Sequence, residues 1–526
     1  MSIPVKFISL KAALVFCLSL FVLLFLFACS SMPDTSPIKT PSTFRQADAN
    51  ANLTQYARQI IDADSSDSAV AVLNDGMDAF LARALLIEAA ENSLDLQYYI
   101  WKNDITGKIM ISLLLEAADR GVRIRLLLDD VNMSGKDAAL ITLDSHPNIE
   151  LRLFNPFEYR SSRIWNFLTD FSRLNHRMHN KLFIADGRIA IIGGRNIGDE
   201  YFAASEHVEF ADLDLLVVGR AVSQSGLSFD EYWNAKAAVP VASMIADSRR
   251  LSMESVRSDL EAFRKQVSLS NYAQNLSKSH LYKDVLNNEL KWFSGPAQVM
   301  ADRVDKITGS VNDNELLAAK IKSDINKITK SLLIISPYFV PNDTLMSQIE
   351  ALAERGVKVK VLTNSLESTD VGIVHAGYQK YRRALLEMGV EIFELKSIRQ
   401  KDKHKFHLKK PQIPGSSRSS LHAKVYIFDA QKLFTGSLNL DPRSVYINTE
   451  IGLLIENSQL AETFEAKLID EIHEDAYQVI LDEQGNLAWI DSSNNQHKVL
   501  NSEPGGGFFR SIGLWLLSLL PIEEQL

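Results

Sequence analysis

The chain has 526 residues, too many for one ordinary domain, so two to four are expected. It is 46% apolar and 23% charged, a globular composition, and its net charge of -9 argues against a nonspecific nucleic-acid binder. Its two cysteines, Cys17 and Cys29, leave the body of the protein with neither a disulfide nor a Cys-ligated metal.

In chain order, Lys6 and Lys11 introduce an uncharged apolar run, Ala12 to Phe27. That run is shorter than the ~20 residues of a membrane span and suits the core of a signal segment. Leu26-Phe27-Ala28-Cys29-Ser30 follows, similar to a bacterial lipobox but with a large residue at Phe27. Residues 1–29 are read as a signal peptide ending in lipidation of Cys29, or as an uncleaved anchor. Either attaches the protein to a bacterial membrane, and the periplasmic face is the expected location. Residues 30–55, rich in Ser, Pro, Thr, Asp and Asn, read as a flexible linker.

A first lobe is expected over 56–245. Ser93 to Ile100 alternates like a strand, Asp104 to Arg120 has helical spacing and stops at Gly121, and Val122 to Leu128 is the next strand. Ala246 to Leu290 is polar with helical spacing, read as a connector or as surface helices of the first lobe. A second lobe over 291–490 repeats the first. SLLIISPYFVPND, from Ser331, matches SLDLQYYIWKND in pattern, and ALAERGVKVKVL matches AADRGVRIRLLL. Gly121 and Gly356 stand 235 residues apart, a domain-sized period, so the unit is a duplicated α/β domain. Residues 491–526 form a tail. Its run Phe508 to Leu520 is too short to span a bilayer and reads as an interfacial or packed helix.

The motifs also come twice. His179-Asn180-Lys181 leads through Leu-Phe-Ile-Ala to Asp186, and His422-Ala423-Lys424 leads through Val-Tyr-Ile-Phe to Asp429. Both fit H-x-K-x-x-x-x-D. Gly193-Gly194-Arg195-Asn196 and Gly436-Ser437-Leu438-Asn439 follow, with 17 residues from His to Asn in each copy. Residues two apart on a strand share a face, so His and Lys project together. Asp186-Gly187 is a hairpin signal, with Ile189 to Ile192 as the returning strand. Gly193, Gly194, Gly436 and Ser437 are small enough for a phosphate to approach the backbone.

This chemistry suits a phosphodiester. Two Lys cations and two Asn amides would hold its nonbridging oxygens and stabilise an in-line transition state. One imidazole would attack phosphorus while the other serves as acid, then base, so their pKa values are expected to be split. Asp212 and Glu450 are read as the carboxylates that orient the imidazoles, with Asp214 as a competitor in the first copy. Asp186 and Asp429 are read as structural.

The duplicated motif, with G-G/S-x-N behind it, resembles the phospholipase D superfamily. Within it, LDLQYYIWKND, DSHPNIELRLFNPF, TDFSRLNHRMHNKLFIADG, IGGRNIGDEYF and LLPIEEQL resemble the bacterial cardiolipin synthases, the C-type most closely. The resemblance covers about residue 70 to the end. It implies two pseudo-symmetric α-β-α lobes sharing one active site. It also implies transfer of a phosphatidyl group from phosphatidylethanolamine or phosphatidylglycerol to the glycerol hydroxyl of phosphatidylglycerol. His179 would be the nucleophile and His422 the acid and base. A hydrolase releasing phosphatidic acid is the alternative on the same motifs; a nuclease and an inactive lipid-binding scaffold rank below both.

Other features carry less. Arg399 to Lys410 is a basic run, read as a solvated loop or a contact for anionic headgroups. Trp165, Phe167 and Phe171 line a lipid entry or belong to the core. His176-x-x-His179 and His404-x-x-His407 lack a third ligand of suitable spacing, so no metal and no cofactor is expected. His375 is an unassigned pocket residue. Phospholipids and a membrane surface are the expected partners, nucleic acid is not, and no protein partner is identifiable.

Overall fold

The computed structural model describes residues 40–506 apart from 161, 206–207, 288, 398–417 and 494–496. Cys29, the basic run and the apolar run at 508–520 lie outside the described residues.

Two mixed sheets carry the fold, of nine and ten strands among the described residues. Each is built around three parallel strands joined by helical crossovers. In the first these are Ser93–Tyr98, Arg123–Asp129 and Ile149–Phe154. In the second they are Ser331–Ile335, Lys358–Asn364 and Glu391–Leu395. The expected helix after the first strand runs Ile105–Asp119, with Asp104 accepting from the Gly107 amide as N-cap. Gly121 follows it at φ 96°, a conformation glycine adopts without strain.

The motif strands form hairpins beside these trios. Leu182–Ala185 pairs with Ile189–Gly193, and Val425–Phe428 with Lys432–Gly436. Asp186 and Asp429 take up the turns at φ 53° and 54°. Each carboxylate gathers three consecutive backbone amides of the neighbouring strand's entry: Glu91, Asn92 and Ser93 for Asp186, Thr329, Lys330 and Ser331 for Asp429. They pin hairpin to sheet.

Two apolar clusters back the outer faces of the two sheets. A third is shared: Leu182, Ile184 and Val217 of the first lobe pack with Val425, Ile427 and Leu453 of the second. Apolar burial of this kind stabilises at ~25 cal/mol per Å², so the shared cluster holds the lobes face to face. The chain passes from the first sheet, at Phe293–Gly295, to the second, at Ala297–Ala301.

Two readings of the flanking segments need correcting. Residues 40–51, taken from composition as part of a flexible linker, are seated on the first lobe. Phe44 packs over Gly226, the Phe44 amide donates to Asp230, and Ala47 is buried. Composition reports the polarity of such a strap but not the groove it fills. At the other end, Lys498–Leu500 adds a strand to the second sheet, and Glu503 accepts hydrogen bonds from Gln379 and Arg382 and pairs with His375. The tail is therefore part of the second lobe to that point. The helices Met253–Ser268, Asn271–Leu276 and His280–Asn287 follow the first lobe and pack against its helices.

Candidate active site

Strand pairing across the lobes delivers both histidines to one place. The His179 amide donates to the Thr449 carbonyl, and the Thr449 amide to the Arg177 carbonyl. In the other copy Arg418–Leu421 pairs in parallel with Val208–Ala211, and the amides of His422 and Ala423 both donate to the Ala211 carbonyl. Each motif thus begins as a neighbour of the other lobe.

The orienting carboxylates are consequently crossed. His179 Nδ1 lies 2.9 Å from Glu450 Oε2, and His422 Nδ1 lies 2.6 Å from Asp212 Oδ2. With Nδ1–H donating to a carboxylate, Nε2 of each ring keeps its lone pair for chemistry. Asp214, the competitor, plays no such part. It is buried with Arg83 at 2.8 Å and Arg195 at 3.6 Å.

The lysines lie beneath. Lys181 Nζ donates to the His179 carbonyl at 2.6 Å, and Lys424 Nζ donates to the His422 carbonyl. Burial pushes both ammonium pKa values below the usual lysine range, most for Lys181, against the pull of Glu450 and Asp212. Burial also brings His179 down to about 4, opposed by Glu450 and aided by Lys181. His422 falls to about 3 through burial and the Lys424 cation, against the pull of Asp212. Lys424 also lowers His179 and Lys181 lowers His422, so one set of charges serves both rings. Both imidazoles are thus lowered in the same direction, first by burial and then by the neighbouring lysine cations.

The glycines are required by the packing inside the site. A Cβ on Gly193 would lie 2.1 Å from Asp214 Oδ1, and one on Gly194 would lie 2.2 Å from Asp212 Oδ1. A Cβ on Gly436 would meet the Ile451 carbonyl at 2.3 Å. They make room for carboxylates and for the adjacent strand. Ser437 donates to Glu450 at 2.5 Å and accepts from the Ile451 amide, so it holds the carboxylate. Asn196 accepts from the Ile100 amide and donates to the Tyr201 hydroxyl. Asn439 differs: its Oδ1 is buried without a hydrogen-bond partner among the described residues.

Aromatic rings missed in the sequence wall the site. Tyr99 lies edge-on to His179 at 5.0 Å and under the Lys181 ammonium at 5.6 Å. Tyr201 and Phe210 each stand 5.1 Å from the His422 ring. Only the tyrosines in QYYI and GDEYF hinted at this. Trp165 and Phe171, ahead of the first motif, are exposed and not core. His375 belongs to a buried cluster with Glu503 and Arg382. Among the described residues no group of three His, Cys, Asp or Glu side chains is placed to hold a metal ion, and no helix is long and apolar enough to cross a membrane.

Two lobes of one fold, each carrying the H-x-K-x-x-x-x-D motif to a shared site, define a phospholipase D-like protein. The family described as "Cardiolipin synthase, PLD-like domain" matches residues 84–221 and 321–471. Cardiolipin synthase C of Escherichia coli K12 is 40% identical over 452 residues, covering 86% of this chain and 94% of that one. Cardiolipin synthase of Geobacillus kaustophilus is 26% identical, covering 74% and 63%. The chain belongs to the PLD-like cardiolipin synthase family, whose members are phospholipid transferases. The solved phosphatidylserine synthase of Haemophilus influenzae Rd KW20 shares the fold, with a TM-score of 0.53 at 16% identity over 81% of this chain and 92% of that one.

Proposed function

We propose that the protein transfers a phosphatidyl group, through a phosphohistidine, to the glycerol hydroxyl of phosphatidylglycerol, making cardiolipin. The donor is phosphatidylethanolamine or a second phosphatidylglycerol. The observation that carries this reading is the crossed pair of histidine–carboxylate contacts, which equips one site with two oriented imidazoles.

His179 Nε2 attacks phosphorus, the P–N bond forms, and the P–O bond to the headgroup breaks. The leaving alkoxide takes a proton from His422. His422 then removes the proton of the incoming hydroxyl, whose oxygen attacks phosphorus and breaks the P–N bond. Lys181 and Lys424 neutralise the nonbridging oxygens, aided by the amide of Asn439. With ring pKa values of about 4 and 3, both rings are neutral near pH 7, and His422 takes its proton from water as the substrate binds: the charge of the phosphodiester offsets the two lysines and raises the ring pKa.

Attachment through residues 1–29, with Cys29 as the lipidated residue, would keep the site at a membrane surface on the periplasmic side. The test is to incubate purified protein in detergent with phosphatidylglycerol, with and without phosphatidylethanolamine. Cardiolipin is the expected product. Phosphatidic acid alone would make the protein a hydrolase, the second reading, which the same motifs support.

A further inference from the structure

The duplicated lobes differ beside the site. In the first lobe the helix Arg220–Asn234 brings Phe229, Tyr232 and Trp233 onto the inner face of the sheet, all fully buried. Tyr232 packs on Phe154 at 5.7 Å, and Phe229 stacks on Trp233 at 5.7 Å. The wedge between helix and sheet is filled with aromatic rings.

The second lobe has the same wedge without those three rings. Strand pairing fixes the correspondence. Ala238, opposite Phe154, matches Ala476, opposite Leu395, and Trp233 and Glu471 each stand five residues ahead. By the same count Lys467 replaces Phe229 and Asp470 replaces Tyr232. What remains is a cavity of about 420 Å³. Its walls include Ile335, Leu362, Leu395, Leu421, Leu460 and Phe464. The volume lies within the ~300–1,000 Å³ of small-molecule sites.

Chemistry changes along its length. Lys291, Lys467, Asp284 and Glu471 contribute charges to its lining. Next to Asp284 in sequence, Val285 and Leu286 expose 41% and 67% of their surface. The cavity also touches Asp212 and Ala423, the residues that hold and adjoin His422. An apolar interior, charged groups at its edge and an apolar approach suit a chain with a polar end. They do not suit a polar metabolite, which would leave its hydrogen bonds unmet within.

We infer that the open wedge between the helix Ser458–Asp475 and the second sheet is a binding site for one fatty acyl chain of a phospholipid. The inference rests on the phospholipid reading of the site. The chain occupies the space that aromatic rings fill in the first lobe, and the four charged residues stay with the headgroup outside. An acyl chain there reaches the backing of His422, so occupancy ties lipid binding to one catalytic half.

The experiment is photolabelling of the full-length protein in detergent with phosphatidylglycerol carrying a diazirine at mid-chain, followed by peptide mapping. Adducts are expected on Leu460–Ile472 and around Phe293. Glu471→Trp restores the first lobe's plug, and Thr463→Trp fills the wedge from two turns earlier in the helix. Each should cut that labelling about tenfold, as the loss of a few buried methylenes implies. Two variants guard against one that fails to fold. His422→Ala should label like the parent protein, because the wedge does not need turnover. Labelling unchanged in a folded tryptophan variant, or confined to the exposed Ile164, Trp165 and Phe171, overturns the proposal. A labelled wedge in a protein that forms no cardiolipin leaves it standing and removes the proposed reaction instead.

Discussion

Set side by side, the two lobes agree where they face the site and disagree behind it. Behind the first motif, Arg83, Asp214 and Arg195 form a buried charged cluster. Behind the second, the positions of Asp214 and Arg195 are held by Gly452 and Leu438, and the ring of Phe434 fills the space against Gly452. Asp129 accepts from Arg177 and the Met178 amide, whereas Asn364 accepts from the Leu421 amide and donates to its carbonyl. A packed interior has many solutions of equal volume, while two imidazoles each held by a carboxylate of the opposite lobe have few. Duplication has kept the second and let the first diverge.

The comparison breaks most visibly at the histidines. His179→Ala and His422→Ala should each lower cardiolipin formation by at least ~10⁴-fold, with thermal unfolding little changed. Appreciable turnover in either would mean that the lobes do not share a site. Next comes the charged backing. Arg83→Ala leaves Asp214 buried without its closest partner and should cost about 3–5 kcal/mol in urea unfolding. Leu438→Ala in the other lobe, a cavity change alone, should cost about 2–5 kcal/mol and fall at the lower end if the site collapses around it.

The crossed carboxylates give a sharper test. Asp212→Asn and Glu450→Gln should each slow turnover on the order of 10²-fold. A double-mutant cycle on stability should couple Asp212 with His422 and Glu450 with His179 more strongly than either same-lobe pair. Stronger coupling within a lobe than across lobes would refute the exchange.

The pH dependence of stability is smaller. His179 and His422 have folded pKa values of about 4 and 3, below the unfolded value of 6.5. The unfolded chain therefore binds protons first. This contribution is complete above about pH 6.5 and is lost as pH falls toward 4, on the order of 2 kcal/mol per ring at pH 5. His179→Gln should flatten that slope in pH-dependent thermal melts, and a bound short-chain phosphatidylglycerol should reduce it by raising both ring pKa values. Smallest is the difference between the hairpin aspartates. Asp186 is fully buried and Asp429 partly exposed, so Asp186→Ala should destabilise more, by roughly 1 kcal/mol, in the same unfolding measurement.

Much of this was legible in the chain. The α/β alternation, the repeat and the two motifs follow from local patterns of spacing 2 and 3.6, and the stop of the helix Ile105–Asp119 from the glycine at 121. That Asp186 and Asp429 stand at hairpin turns could be read from the end of each apolar strand pattern. The role of Gly194 could not, because the atom it accommodates belongs to Asp212 on another strand. The strap at residues 40–51 was missed because its groove is made by residues far along the chain, Gly226 and Asp230 among them.

By itself the sequence determined which groups could do phosphoryl chemistry, since His, Lys and Asn recur at fixed spacing and a strand presents alternate residues on one face. Only the tertiary structure decided how they are supported. His179 meets a carboxylate 271 residues away and His422 one 210 residues away, each on the opposite lobe. No local pattern carries that information, because it depends on how two sheets pack across a shared apolar core.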